Sequence, residues 1–437
     1  MGLMTVYHPR DPVLFDAPAN TSVALVASAQ YAFSAILLLK GKFQTKWQSF
    51  VQVKTLDQVM TRSRGLGPGF DFLRIGLAIL IFYAHTNMAL RDNGIVNLFG
   101  GAGTGITNLM PAHPQSLAPV DFLQSVKSRL YILYVPMFFA LSGFLVTGSA
   151  ARTASISTFL KFRALRIFPA LTVEVVLSAL VLGAFFSTLP LQAYVSNPQF
   201  LRYFGNVLGF VTFELPGVFE GNPASGLVNP NLWTLPAEFY CYFMMSALMI
   251  VGLLRRRHVA FIGMVSLSII LIFSSILYGF GLSKSVLRTT AVVYYFFVGA
   301  SFYIWRDKIP ISVPLFIASG ALTLMMMRNP TYTFLIPIFL TYVTVYLGHL
   351  RVLAMPFMKG RDYSYGIYLY GFPITQAVIS LNADITRPAL FAVGLGITAI
   401  FAMASWHLIE KPMLALKKQR PMSVKPAPAP HSTAPRL

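Results

Sequence analysis

The stretch FDFLRIGLAILIFYAHT, residues 70–86, holds a basic residue near its start, a histidine near its end and an unbroken apolar run between them. A helix rises 1.5 Å per residue, and about 20 mainly apolar residues cross a bilayer core. The run 72–90 meets that length. Arg74 and His85 are eleven residues apart. Eleven steps of 100° leave a net rotation of about 20°, so both sit on one helical face, about 16 Å apart along the axis. An ionisable residue inside the bilayer costs several kcal/mol, so such residues are functional candidates first.

Nine more apolar runs follow, at about 131–148, 169–187, 233–254, 259–280, 286–305, 312–327, 331–347, 363–380 and 388–409. The 437-residue chain is 56% hydrophobic and only 11% charged, well outside the soluble range. The fold expected is an all-α integral membrane bundle of about ten transmembrane helices, or eleven if residues 21–39 also span. The organisation expected is an N-terminal extension over 1–69, a transmembrane domain over 70–415, and a disordered, Pro- and Ala-rich cytoplasmic tail over 416–437.

A net charge of +20 on a soluble protein suggests nucleic acid. Here it suits the cytoplasmic loops of a membrane protein, and no nucleic-acid partner is expected. With Arg74 at the inner end of its helix, inner segments hold 25 Lys and Arg against 8 in outer ones. That places the C-terminus in the cytoplasm. Segments 91–130 and 188–232 become long outer loops. The glycines at 100, 101, 103 and 105 follow no strand and open no helix, which argues against a nucleotide loop. Cys241 is alone, so no intrachain disulfide or multi-Cys metal site exists; no metal is expected.

His85 is the natural general base at neutral pH, or a nucleophile that takes the acyl group itself, with packing as the bland alternative. In FLKFRALRIFPALTVEVV, residues 159–176, Arg163 and Arg166 share a face at i,i+3. Paired guanidiniums suit phosphate, although inner-surface anchoring needs no ligand. Glu174 follows Arg163 by eleven residues, which puts it at the depth of His85. It is expected to accept a hydrogen bond from His85 and set its tautomer. In NPNLWTLPAEFYCYF, residues 229–243, Trp233 reads as an interfacial aromatic and Glu238 as a carboxylate in the outer half of its helix. Together they suit a saccharide.

These stretches resemble the membrane acyltransferase-3 family over residues 70–415. The resemblance rests on Arg74, ten residues and His85, with Asp71 just before, and on Arg163-x-x-Arg166. It extends to SGFLVTGS (142–149), LWTLPAEFY (232–240), SYGIYLYGFPI (364–374) and HLIEKP (407–412). It implies O-acylation, commonly acetylation, of extracytoplasmic polysaccharide, lipopolysaccharide or lipid-linked sugar at the bacterial inner membrane. It implies acetyl-CoA as donor, His85 as central to catalysis, and Arg74, Arg163 and Arg166 near the donor's phosphates, with Glu174 set beside His85 only by the spacing above. Asp71, Trp233 and Glu238 are expected on the substrate. Two departures matter. Many relatives carry a histidine where this chain has Gly371, so no second histidine is carried over. Some relatives fuse a serine-esterase-like domain, for which fewer than 30 residues remain after the last helix. A transporter or flippase for sugar lipids is the rival reading, and a non-catalytic scaffold leaves the Arg74–His85 register without a reason.

Overall fold

A computed structural model describes residues 54–63, 67, 69–90, 119–153, 155–252, 254, 256–278, 289–327, 332, 334–350 and 360–416. The chain divides into Met1–Lys54 and Thr55–Leu437, and every helix below belongs to the second unit. The segment 21–39, the glycine-rich stretch 100–105 and the tail from Pro421 lie outside the described residues.

Each of the ten apolar runs carries a helix. The short α1 (Leu56–Arg62) precedes them, started by a capping box between Thr55 and Gln58. Then come α2 (Phe70–Ala89), α3 (Pro119–Arg152) and α4 (Ile156–Leu177), which continues through a π turn to Phe186. Two short helices follow, α5 (Leu191–Ser196) and α6 (Pro198–Phe204). The rest are α7 (Leu235–Ile250), α8 (Arg257–Tyr278), α9 (Thr289–Ile304), α10 (Val313–Met326), α11 (Ile336–Gly348), α12 (Ser364–Leu381) and α13 (Arg387–Ala404). A second π turn, Ser405–Glu410, leads into α14 (Lys411–Ala415). Among the described residues no strand forms beyond three isolated bridges. Four helical stretches are long and apolar enough to cross a membrane: Phe70–Ala89, Leu130–Arg152, Ile156–Phe186 and Arg387–Ala415. Shorter apolar helices pack with them.

Lipid tails are as apolar as leucine, so burial alone does not hold such helices together; close packing does. The crossing of α3 and α9 shows how. A Cβ on Gly143 would stand 1.9 Å from the Phe296 carbonyl oxygen, and one on Gly299 would stand 2.0 Å from that of Ala140. Only glycine admits that approach. At Gly371 of α12 the neighbour is the Phe82 ring of α2, 2.8 Å from a built Cβ. A histidine there would displace Phe82, one turn from His85.

The segment before α7 departs from its reading as an outer loop. Residues 222–231 run into the bundle alongside α12. Ser380 donates to Asn222 at 2.9 Å, and Gln376 donates to the carbonyls of Ala224 and Leu227 at 2.8 and 2.7 Å. Asn229 donates to the Leu369 carbonyl at 3.0 Å, and Asn231 to that of Tyr368 at 2.6 Å. Ser380 to Tyr368 is twelve residues, or about 18 Å of helix. Irregular backbone at that depth survives only where protein satisfies its polar groups. Here Gln376 meets the carbonyls of Ala224 and Leu227, and the amides of Thr212 and Asn231 donate to Asn206 Oδ1 and Asn229 Oδ1. Trp233 therefore sits half-buried in a 3-10 turn (Pro230–Thr234), packed against the core beside the start of α7.

Candidate active site

One cavity, about 460 Å³, opens among the basic helix ends. The first turns of α2 bring Asp71 and Arg74, the end of α3 brings Arg152, and α4 brings Arg163 and Arg166. Glu238 of α7 and Asp362, just before α12, line the same space. Its apolar walls come mainly from α3, with Val135, Phe138 and Leu145, and from Phe296 of α9. Along α2 the lining continues inward to Ile81. Its volume lies within the usual range of small-molecule sites.

The charges are arranged in two sets. Asp362 Oδ2 accepts from Arg74 at 2.6 Å and from Arg166 at 2.5 Å, while Ser364 holds Oδ1. Burial by itself raises the Asp362 pKa, but Arg166 and Arg74 outweigh it and hold the carboxyl below its ordinary 3.8. Arg166 has a second carboxylate, Glu410, at 2.7 Å, aimed by the π turn of residues 405–410. The Tyr365 ring lies 5.5 Å from the same guanidinium. Arg166 is thus enclosed. Arg163 differs. It has no carboxylate partner among the described residues. It lies over the rings of Phe159 and Tyr242 and donates at 3.4 Å to Ser149, and its Nε is buried without a partner.

The structure brings together Asp71, Arg74, Arg163, Arg166 and Glu238, and leaves His85, Glu174 and Trp233 outside the cavity lining. His85 is only 4% exposed, inside the bundle, its ring edge-on to Phe372 at 6.0 Å. It lies one turn beyond Ile81 on the same face as Arg74. Glu174 does not orient it as expected. Glu174 Oε1 accepts from Ser178 and Asn229, both at 2.8 Å, and Oε2 has no hydrogen-bond partner among the described residues. The carboxylate anchors the re-entrant segment instead. Glu238 is also re-placed. It stands within electrostatic reach of Arg166 and Arg74, in the arginine half of the bundle rather than the remote half. Asp71 faces the mouth and accepts from the Gly360 amide at 3.3 Å.

Sequence reasoning missed Asp362, Glu410 and Tyr368. The Tyr368 hydroxyl donates to the Asn231 carbonyl at 2.8 Å and pairs with Thr234 at 2.9 Å, fixing the inner end of the cavity. A site of this form can hold an anion at its mouth and an elongated apolar arm within, aimed at a buried imidazole.

Comparison with known proteins supplies the chemistry. Residues 68–407 match the family model Acyl_transf_3, described as an acyltransferase domain. A protein of Shigella phage Sf6 named O-acetyl transferase is 29% identical over 301 residues, covering 64% of this chain and 84% of the relative. Nodulation protein 10 of Rhizobium leguminosarum bv. viciae is 25% identical over 381 residues, covering 81% of this chain and 95% of the relative. No solved structure matches.

Proposed function

The chain belongs to the acyltransferase-3 family and is a membrane acyltransferase, and from that premise we propose that it moves an acetyl group from cytoplasmic acetyl-CoA to a hydroxyl of an extracytoplasmic or lipid-linked saccharide. The observation that carries this reading is the cavity that runs along α2 from Arg74 to Ile81, one turn short of His85. The name of the phage relative supports acetyl as the group. The excess of basic residues at the arginine end supports the inner membrane, with that end in the cytoplasm.

In the proposed reaction the donor's phosphates stay at the basic mouth and its pantetheine arm carries the thioester inward. Neutral His85 takes the proton of the acceptor hydroxyl, whose oxygen attacks the thioester carbon. The C–S bond breaks, an ester forms, and the departing thiolate takes the proton from the imidazolium. No redox partner is needed.

The test is transfer from radiolabelled acetyl-CoA to a bacterial surface-glycan extract by purified protein, without an ion gradient. His85→Ala is expected to lower turnover at least 10²-fold, the usual yield of general-base catalysis. Transfer that persists in that variant removes His85 from the chemistry. No transfer by the wild type removes the acetyl-CoA reading.

A further inference from the structure

Four arginines line the cavity, yet they are not equivalent as anion ligands. Arg166 has both terminal nitrogens on carboxylates, Asp362 and Glu410. Arg74 shares Asp362 Oδ2 with it. A phosphate approaching either guanidinium must compete with a carboxylate already in place. One turn back along α4 from Arg166, Arg163 has no carboxylate partner among the described residues, and its Nε is buried without a partner. Arg163 reaches Ser149 of α3, and Arg152 follows one turn later on that helix. Arg152 is exposed, lines the cavity, and makes no ion pair or hydrogen bond through its side chain among the described residues.

We propose that Arg152 and Arg163 are the phosphate-binding pair for the acyl-CoA donor, and that Arg74 and Arg166 serve mainly as a neutralised clamp. This rests on the acyl-CoA reading above. It adds Arg152, which no motif singled out, and removes Arg166 from the phosphate ligands. An orphaned buried guanidinium nitrogen costs free energy until an acceptor meets it, so Arg163 gains most from an incoming oxyanion. Arg152, at the rim, adds charge where the donor's nucleotide end would remain near water.

The experiment compares acetyl-CoA with acetyl-pantetheine, a donor lacking every phosphate. The quantity read is the ratio of kcat/KM for the two donors. In Arg152→Gln and Arg163→Gln that ratio is expected to fall about tenfold each, the equivalent of one charge-assisted contact. In Arg166→Gln it stays near the wild-type value even if both rates drop. If the two donors slow in parallel in Arg152→Gln and Arg163→Gln, those arginines act only on the fold and the proposal is overturned. Selective loss in Arg166→Gln alone overturns it equally. Arg152→Gln keeps the test informative should Arg163→Gln fail to fold. A wild type that uses neither donor sinks the donor reading, whereas a wild type that uses acetyl-CoA with unchanged ratios in the variants sinks this assignment alone.

Discussion

Asp362 illustrates how much one side chain carries. A single oxygen receives two guanidiniums, from α2 and α4, while the other oxygen is tied to the first residue of α12. Removing one member of a buried ionic set costs about 3–5 kcal/mol, because the survivors remain buried and uncompensated. Asp362→Asn is therefore expected to lower the thermal midpoint of the detergent-solubilised protein by several degrees at pH 7. The pH dependence has a definite sign. A carboxyl whose folded pKa is depressed contributes its stability above the unfolded value, and loses it as pH falls through the folded value. The gap between wild type and variant should hold from pH 8 to 5 and close only below about pH 4, the ordinary carboxylate range. A gap that closes above pH 5, or is missing at pH 7, refutes the clamp. The arginines of this clamp were legible in the sequence, Arg74 from its register with His85 and Arg166 from its i,i+3 spacing with Arg163. Their partners were not. Asp362 lies 196 residues and Glu410 244 residues from Arg166, and no local period links positions so far apart.

At the scale of elements, hydropathy located the helices because a bilayer imposes length and apolarity on any segment that crosses it. The same signal read residues 188–232 only as an outer loop and missed the path of 222–231 along α12. Lying between two apolar runs it read as an outer loop, yet here its asparagines and Gln376 of α12 supply hydrogen bonds that let irregular backbone lie deep in protein. That misreading also moved Trp233 outward and placed Glu238 in the wrong half. Glu174 is the anchor at the deep end. Asn229→Leu removes its donor and the bond to the Leu369 carbonyl together, leaving buried acceptors unmet, at a cost of about 2–4 kcal/mol. The expected result is faster hydrogen exchange over residues 222–234 with α3 and α9 unchanged, and a parallel loss of turnover. Glu174→Gln keeps an acceptor oxygen for Asn229 and should retain most activity. If Glu174→Gln is as inactive as His85→Ala, the carboxylate works through its charge and the anchoring account is wrong.

For the whole molecule, the consequential property is sidedness. The cavity mouth, the clamp and the basic excess occupy one end, whereas the re-entrant segment enters from the other. Lys and Arg resist transfer across a membrane and gather in cytoplasmic loops, so the proposed orientation turns the arginine end to the cytoplasm, the side of the proposed donor. In the proposed reaction the imidazole stands between a cytoplasmic donor and an acceptor from the other side. Two exposed serines test this arrangement without disturbing the site: Ser157 at the start of α4, and Ser196 at the end of α5. The native Cys241 is 1% exposed, so the parent protein should react little with a charged, membrane-impermeant maleimide. On intact spheroplasts, Ser196→Cys is expected to label at once. Ser157→Cys should label only after the membrane is permeabilised. The inverse pattern would put the phosphate-binding arginines on the side that lacks the donor, and the acetyl-CoA mechanism would fall even if every helix stood where it is described.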